Sequence, residues 1–161
     1  MDHLWAPWRM AYIEAGDKKE AGCVFCIKPQ EDRDEENLLL YRGKRCFVLM
    51  NLFPYNNGHL MVAPYAHIPG IQTLPVATLT ELMTITQRCL AALAAALHPQ
   101  GYNMGINQGL VAGAGIADHV HYHIVPRWNG DTNFMPVLAD TKVMPDYLQN
   151  TYRQLKAAWP I

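Results

Sequence analysis

The sequence predicts a single α+β domain built on an antiparallel sheet. Three observations support this fold class: short β-prone runs are separated by turn residues, one long segment has helical periodicity, and no repeat or linker divides the 161 residues. With 50% hydrophobic and 17% charged residues, the chain has enough apolar material for a core. The composition therefore excludes a mainly disordered protein.

The first strands are expected between residues 38 and 64. Two β-prone runs within residues 38–53 flank a turn-like Arg-Gly-Lys and predict a hairpin. Residues 59–63 predict a third strand, which ends before Pro64 because proline cannot donate to a strand ladder. The preceding residues 1–20 contain prolines, clustered aromatics and a charged stretch, and they predict an irregular N-terminal arm.

A long helix is predicted over residues 75–98, where apolar side chains recur at spacings of three and four. Residues 101–109 predict a fourth strand. After a glycine-rich loop, residues 119–125 alternate histidine with other side chains and predict a fifth strand. A weaker second helix is expected within residues 145–159, in a C-terminal extension that spans residues 129–161.

Charge and hydropathy narrow the class of partner. Thirteen basic residues against fourteen acidic ones give a formal net charge of -1, and the basic residues are scattered, so we expect no nucleic-acid partner. No segment approaches the roughly 20 apolar residues that cross a bilayer, and the N-terminal residues do not resemble a signal peptide. These features predict a soluble, cytoplasmic protein without a membrane partner.

The four cysteines fall into two groups. Cys23 and Cys26 form a Cys-Val-Phe-Cys unit, which in the cytoplasm indicates metal binding or redox chemistry. Cys46 and Cys89 lie within apolar patterns and are expected to be buried structural thiols.

A row of three histidines is the strongest chemical signal. In a strand, His119, His121 and His123 would share one face, with neighbouring Cα atoms about 6.5 to 7 Å apart, while the alternate residues would face the core. Three of the seven histidines fall in five positions. The row allows three interpretations. It could be a metal site with a further ligand from a neighbouring strand, a nucleophilic site, or a chance cluster on an exposed face.

The glycine-rich loop before this row favours phosphate chemistry. Successive backbone N–H groups of Gly113, Ala114 and Gly115 can form an anion-binding nest. A neutral imidazole such as His121 can attack phosphorus through one nitrogen when the other nitrogen holds its proton in a hydrogen bond. His123 could then protonate or hydrogen-bond the departing oxygen, while backbone amides stabilise the charge on the phosphoryl group.

The segment His119-Val-His121-Tyr-His123-Ile-Val resembles the signature of the histidine triad (HIT) superfamily, in which three histidines alternate with apolar residues. The resemblance extends from residue 22 to residue 128 and includes Asn51, a Gly-His pair at His59, and Pro126-Arg127. It implies a HIT-like antiparallel meander of the α+β class, usually a homodimer, that binds a nucleoside phosphate and transfers the nucleotidyl group through the middle histidine.

The resemblance also implies roles for individual residues. His121 would be the nucleophile, and His59 would support the triad by hydrogen bonding. Asn51 would contact the ribose hydroxyls. Asn107 and the loop amides would hold the α-phosphate.

Several bacterial members of the superfamily bind zinc through a Cys-x-x-Cys unit, a histidine in the loop after the Gly-His strand, and the first triad histidine. The matching residues are Cys23, Cys26, His67 and His119. Four such ligands would make a closed, structural zinc site that ties the N-terminal part of the chain to the sheet.

One position bears on the branch of the superfamily. Many dinucleoside polyphosphate hydrolases of this superfamily carry glutamine four residues before the first triad histidine, where it helps to position water, but this chain has Gly115. That absence, together with the N-terminal Leu-Trp-Ala-Pro-Trp-Arg, resembles the branch of diadenosine tetraphosphate phosphorylases (ATP adenylyltransferases), in which phosphate replaces water and the products are ATP and ADP.

Three alternatives to the phosphorylase remain open. One is a hydrolase of dinucleoside polyphosphates or nucleoside phosphoramidates. Another is a zinc-stabilised nucleotide-binding module without turnover. A third is a redox protein whose Cys23 and Cys26 cycle between dithiol and disulfide without a metal.

Overall fold

The structure, a computed structural model, describes residues 22–133 and 144–160. Within these ranges the chain forms five strands, β1 (Leu39–Arg42), β2 (Cys46–Met50), β3 (Leu60–Pro64), β4 (Gly101–Ile106) and β5 (Tyr122–Arg127). The same ranges contain three α-helices, α1 (Val24–Ile27), α2 (Val76–Leu97) and α3 (Leu148–Ala157), together with short 3₁₀ helices at Lys28–Gln30, Ile71–Thr73 and Leu110–Ala112. The predicted arm at residues 1–20 lies outside the described residues.

The strands form one antiparallel sheet in the order β1-β2-β3-β5-β4. The first three strands make a meander, and helix α2 then carries the chain across the sheet to the far edge, where β4 lies. Strand β5 returns between β3 and β4, so that His123 pairs with Met61 on one side and with Gly105 on the other. The predicted α+β class is confirmed, and the histidine-bearing strand has neighbours on both sides.

Helix α2 covers one face of the sheet. Its spacing of three and four places a stripe of apolar side chains against the inner residues of the central strands. This larger core includes Val48, Val62, Leu82, Ile85, Cys89, Leu93 and Ile124. Cys46 and Cys89 are 0% exposed, as expected for structural thiols.

The opposite face carries a smaller apolar cluster, which the short helix α1 covers. The cluster contains Phe25, Leu39, Phe47, Leu49, Met61 and Ala63. Because both faces of β2 are covered, all five of its residues are buried, and this explains why that strand is a continuous apolar run without alternation. A helix at residues 24–27 was not predicted, because four residues are too few to show periodicity.

Strand β5 begins three residues later than predicted. It starts at Tyr122, and His119 and His121 lie in the irregular segment before it, which bends at His119. Strand β3 ends at Pro64, which lacks an N–H group, so the pairing cannot continue. The N–H of Val120 instead donates to the carbonyl of Ile68, 2.7 Å away, in the loop after β3.

Helix α3 belongs to the C-terminal extension and packs on the larger core. Leu155 is 0% exposed, and the Tyr152 hydroxyl donates to the carbonyl of Leu39 at 3.0 Å. The Thr151 hydroxyl donates to Asn57 Oδ1 at 3.0 Å, in the turn before β3. Among the described residues, no helix combines the length and hydropathy needed to cross a membrane.

We expect the Leu155→Ala variant to lose about 2 to 5 kcal/mol of unfolding free energy, because it leaves a cavity beneath α3 in a packed core. Urea denaturation followed by circular dichroism measures the change. Tyr147→Ala, at an 80% exposed position just before the same helix, is the control and should lose less than about 0.5 kcal/mol. Equal losses in the two variants would contradict the packing role of α3.

Candidate functional site

The ring of His121 has a defined tautomer. Its Nδ1 lies 2.8 Å from the carbonyl oxygen of His119, and since a carbonyl only accepts, Nδ1 carries the hydrogen. Nε2 therefore holds the lone pair in the neutral ring. Burial lowers the pKa of His121 below its ordinary value, and the hydrogen bond to His119 opposes that shift only in part. His121 is thus a neutral imidazole with a nucleophilic Nε2.

His123 adopts the opposite tautomer through a relay. The backbone N–H of Tyr55 donates to His59 Nδ1 at 3.1 Å, so a neutral His59 carries its hydrogen on Nε2. That Nε2 lies 2.9 Å from His123 Nδ1 and donates to it. The neutral His123 ring consequently carries its own hydrogen on Nε2.

The two rings lie edge to face, with centroids 4.7 Å apart and an interplanar angle of 71°. A ring whose Nε2 accepts is therefore adjacent to a ring whose Nε2–H donates. This arrangement suits a displacement in which one nitrogen attacks phosphorus and the other donates to the departing oxygen.

The Gly-His pair has a steric basis. Gly58 has φ +74, and a Cβ on it would lie 2.6 Å from Leu97 Cδ1. Only glycine allows the turn to approach α2 this closely. The turn delivers His59, which is 0% exposed, to the ring of His123.

The expected ribose residue lies beside this relay. Asn51 Oδ1 accepts from the backbone N–H of Phe53 at 2.9 Å, and Asn51 Nδ2 lies 3.4 Å from His59 Nδ1. The residue expected to contact the α-phosphate, Asn107, is half-buried directly after β4, next to the Ile106–Tyr122 pair of the sheet.

The glycine-rich loop differs from the predicted three-amide nest. The N–H of Gly113 donates to the carbonyl of Leu110 at 2.9 Å, and that of Ala114 donates to Gly109 at 3.3 Å. These bonds close the 3₁₀ turn and use two of the three predicted donors. Within the described ranges, the N–H of Gly115 donates to no backbone carbonyl. Of the three amides predicted to bind an anion, the amide of Gly115 is therefore the one left for that contact.

A second cluster brings together Cys23, Cys26, His67 and His119, whose ligand atoms all lie within 4.8 Å of one another. Cys23 precedes α1, Cys26 lies within it, and His67 comes from the loop after β3. Cys26 Sγ lies 3.3 Å from His67 Nδ1, and His119 Nδ1 lies 3.4 Å from Cys23 Sγ and 3.2 Å from His67 Nδ1. The tertiary fold thus assembles the four predicted ligands.

The donor set fits a tetrahedral metal ion. Tetrahedra with Zn–S and Zn–N bonds of ordinary length have ligand atoms about 3.3 to 3.8 Å apart, close to the observed separations. His119 Nε2 donates to the carbonyl of Pro64 at 2.8 Å, which leaves the Nδ1 lone pair facing the other three ligands. Burial, and then the neighbouring His67 and His121, lower the pKa of His119 and keep this ring neutral.

The same geometry argues against the redox alternative. Desolvation, the hydrogen bond that the Cys26 thiol donates to Cys23, and the charge of Cys23 all raise the pKa of the Cys26 thiol. Redox-active Cys-x-x-Cys pairs depend on a lowered thiol pKa at a helix N-terminus or beside a cation. The raised pKa of Cys26 lacks that feature, whereas a bound metal ion would itself stabilise the Cys26 thiolate.

The sequence did not predict two backbone groups that orient histidines of the site. The N–H of Tyr55 orients His59, and the carbonyl of Pro64 orients His119. Both act through backbone atoms, which leave no side-chain signal in a sequence.

The sequence is similar to those of known proteins. The model of the HIT domain family matches residues 32–130. A protein of Mycobacterium tuberculosis named AP-4-A phosphorylase is 39% identical over 166 residues, which cover 99% of this chain and 85% of that protein. An adenosine 5'-monophosphoramidase of Saccharomyces cerevisiae is 29% identical over 67% of this chain and 64% of its own length.

Solved structures have the same fold. A zinc-bound histidine triad family protein of Mycobacterium smegmatis superposes with a TM-score of 0.67 at 28% identity, covering 85% of this chain and 92% of that one. A hypothetical histidine triad nucleotide-binding protein of Sulfolobus tokodaii also has a TM-score of 0.67, at 22% identity, and covers 84% of this chain and 91% of its own.

We expect chelator-treated native protein to be alkylated at Cys23 and Cys26 only. Burial raises the pKa of Cys46 to about 12 and also raises that of Cys89, so these two thiols should react only after unfolding. Mass spectrometry of labelled peptides identifies the sites. A variant with serine at both positions 23 and 26 is the control and should remain unlabelled when native, whereas labelling of Cys46 or Cys89 in folded protein would contradict the prediction.

Proposed function

The chain belongs to the HIT domain family, and from this premise we propose that it transfers a nucleotidyl group from dinucleoside polyphosphates to inorganic phosphate. The preferred reaction is the conversion of diadenosine tetraphosphate and phosphate to ATP and ADP through a covalent nucleotidyl-histidine. The observation that carries the proposal is the opposite tautomers of the adjacent His121 and His123 rings. The name of the 39% identical relative supports the choice of substrate and acceptor.

In the first step, the Nε2 lone pair of His121 attacks the α-phosphorus. The bond from phosphorus to the bridging oxygen breaks, and ATP departs as an anion whose oxygen accepts a hydrogen bond from His123 Nε2–H. The His121 ring becomes positively charged as the P–N bond forms, and its Nδ1–H bond to the His119 carbonyl stabilises that charge. His59 donates to His123 Nδ1 throughout and so keeps the hydrogen of His123 on Nε2.

In the second step, an oxygen of inorganic phosphate attacks the same phosphorus. The P–N bond breaks, ADP forms, and the electron pair returns to His121 Nε2. The incoming phosphate attacks through an ionised oxygen, so no proton has to be removed, and both histidines end in their starting tautomers. The enzyme therefore needs no external acid or base over a full turnover.

The residues around the triad supply the binding contacts of this mechanism. Asn51 is the proposed ribose contact, and Asn107 and the Gly115 amide are the proposed contacts to the α-phosphate. Gly115 is exposed and carries no side chain, so it provides space for phosphate where a glutamine would orient water. This feature favours a phosphorylase over the hydrolase alternative.

We propose that zinc binds Cys23, Cys26, His67 and His119. The ion would supply a structural cross-link between α1, the loop after β3 and the segment before β5, since a site with four protein ligands has no open position for substrate. The bound zinc in the M. smegmatis relative supports this choice of metal. The homodimer and the cytoplasmic location stay predictions from the sequence.

We expect phosphate to determine the products. Diadenosine tetraphosphate incubated with the protein and phosphate should yield equal amounts of ATP and ADP, because phosphate resolves the nucleotidyl-histidine. Ion-exchange chromatography separates the products, and a phosphate-free reaction is the control. ATP and AMP formed regardless of phosphate would contradict the phosphorylase and identify a hydrolase, while absence of turnover would favour phosphoramidates or a binding module.

The His121→Asn variant should lose at least about a thousandfold in kcat while it still binds AMP, because the nucleophile is removed and the nucleoside contacts remain. Steady-state kinetics and calorimetric titration with AMP measure the two quantities. His98→Asn is the matched control, since His98 is exposed at the end of α2 in a left-handed conformation that asparagine accepts. Retained turnover in His121→Asn would refute the covalent mechanism.

A further inference from the structure

Phe25 lies between the two cysteines of the metal cluster and touches two histidines of the triad. Its side chain is 1% exposed. Its ring centroid lies 4.6 Å from that of His121 with an interplanar angle of 32°, and 5.2 Å from that of His119 with an angle of 45°. The tilted contact at 4.6 Å means that the phenyl ring packs directly against the imidazole of His121.

The position of Phe25 depends on the cluster. Helix α1 has four residues, and a helix of one turn is unstable without external contacts. Cys23 precedes the first turn and Cys26 follows Phe25 directly, so both cluster cysteines bracket this side chain. When the four ligands hold one ion, the backbone on both sides of Phe25 is held against the sheet.

His119 makes a second connection between the cluster and the nucleophile. Its Nδ1 belongs to the cluster, its Nε2 donates to Pro64, and its carbonyl accepts the Nδ1–H of His121. Release of the His119 side chain would therefore free the residue whose carbonyl selects the tautomer of His121. Both connections lead from the same four ligands to the same imidazole.

We propose that Phe25 is a positioning residue for His121, through which metal binding at the Cys-x-x-Cys cluster holds the nucleophilic ring in the attacking tautomer. The cluster thus acts on turnover as well as on folding. The catalytic consequence rests on the proposed function, but the effect on the His121 ring does not.

Phe25 acts on His121 by restricting rotation of its imidazole ring. Turning the ring of His121 by half a turn about its Cβ–Cγ bond removes Nδ1 from the His119 carbonyl and Nε2 from the phosphorus. The phenyl ring packed against His121 restricts this rotation, because the turning imidazole would collide with it. A smaller side chain leaves room for the rotation and so mixes the two tautomers and orientations.

The test compares Phe25→Ala and Phe25→Leu with Leu39→Ala. Leu39 is 0% exposed in the same apolar cluster but lies on β1, with β2 and β3 between it and β5, so it reports the effect of lost core volume alone. Each variant is measured for zinc content by atomic absorption, for the His121 tautomer by long-range ¹H–¹⁵N NMR, and for kcat and KM with diadenosine tetraphosphate and phosphate. Chelator-treated wild type is the fourth sample.

We expect the wild type to show His121 protonated at Nδ1 alone. Phe25→Ala should keep its zinc yet show mixed His121 signals, with kcat lower by about tenfold or more and KM changed by less than about threefold. Phe25→Leu should show a smaller change in the same direction, and Leu39→Ala should leave the His121 signals unmoved. Chelated wild type should show the same mixed signals as Phe25→Ala.

Unmoved His121 signals in folded Phe25→Leu and in chelated wild type would overturn the proposal. So would a rise in KM at constant kcat, since that result places Phe25 in substrate binding. If the wild type turns over no dinucleotide, the proposed function fails, but the zinc and NMR measurements still decide the connection between Phe25 and His121. The two failures are therefore distinguishable.

Discussion

The hydrogen bond from His121 Nδ1 to the carbonyl of His119 is the interaction on which the chemistry of this site depends. It places the proton on one nitrogen, leaves a lone pair on the other, and partly offsets the lowering of the His121 pKa by burial. The carbonyl of His119 can accept this bond from two residues along the chain because residues 119–121 lie outside the sheet ladder. Pro64, which ends β3, is the reason that they are left outside it.

Around this bond, the fold gives chemically identical side chains different tasks. His119 turns Nδ1 toward two cysteines and His67 because Pro64 takes its Nε2–H, whereas His121 turns Nδ1 toward a carbonyl. His123 accepts at Nδ1 because His59 donates to it, and His59 does so because a backbone N–H occupies its own Nδ1. The tautomer of each imidazole is thus set by one hydrogen-bond acceptor or donor, and this is how alternating histidines come to present Nδ1 to the cysteine cluster at His119 and a lone pair on Nε2 at His121.

The sequence predicted the long helix well, but it did not predict where β5 begins or how the loop amides are hydrogen-bonded. The helix at Val76–Leu97 was predicted within one residue at each end because its apolar spacing persists over many turns. The resemblance to the HIT superfamily indicated Cys23, Cys26, His67 and His119 together, and the structure brings these four residues into one cluster. The start of β5 was predicted three residues too early, since alternation describes an extended chain and does not say which strand it pairs with. Two of the three loop amides proposed for anion binding donate within their own turn, which composition alone does not reveal.

The sequence by itself determined the α+β class and the long helix, because these follow from residue type and spacing along one chain, and its resemblance to the HIT superfamily indicated His121 and the four residues of the cysteine–histidine cluster. The tertiary structure decided the order of the strands, the tautomer of each histidine and the contact of Phe25 with His121. Those properties depend on groups from separate parts of the chain, many of them backbone carbonyls and N–H groups that every residue carries. Spacing cannot distinguish such groups, and only folding places one particular carbonyl beside one particular ring nitrogen.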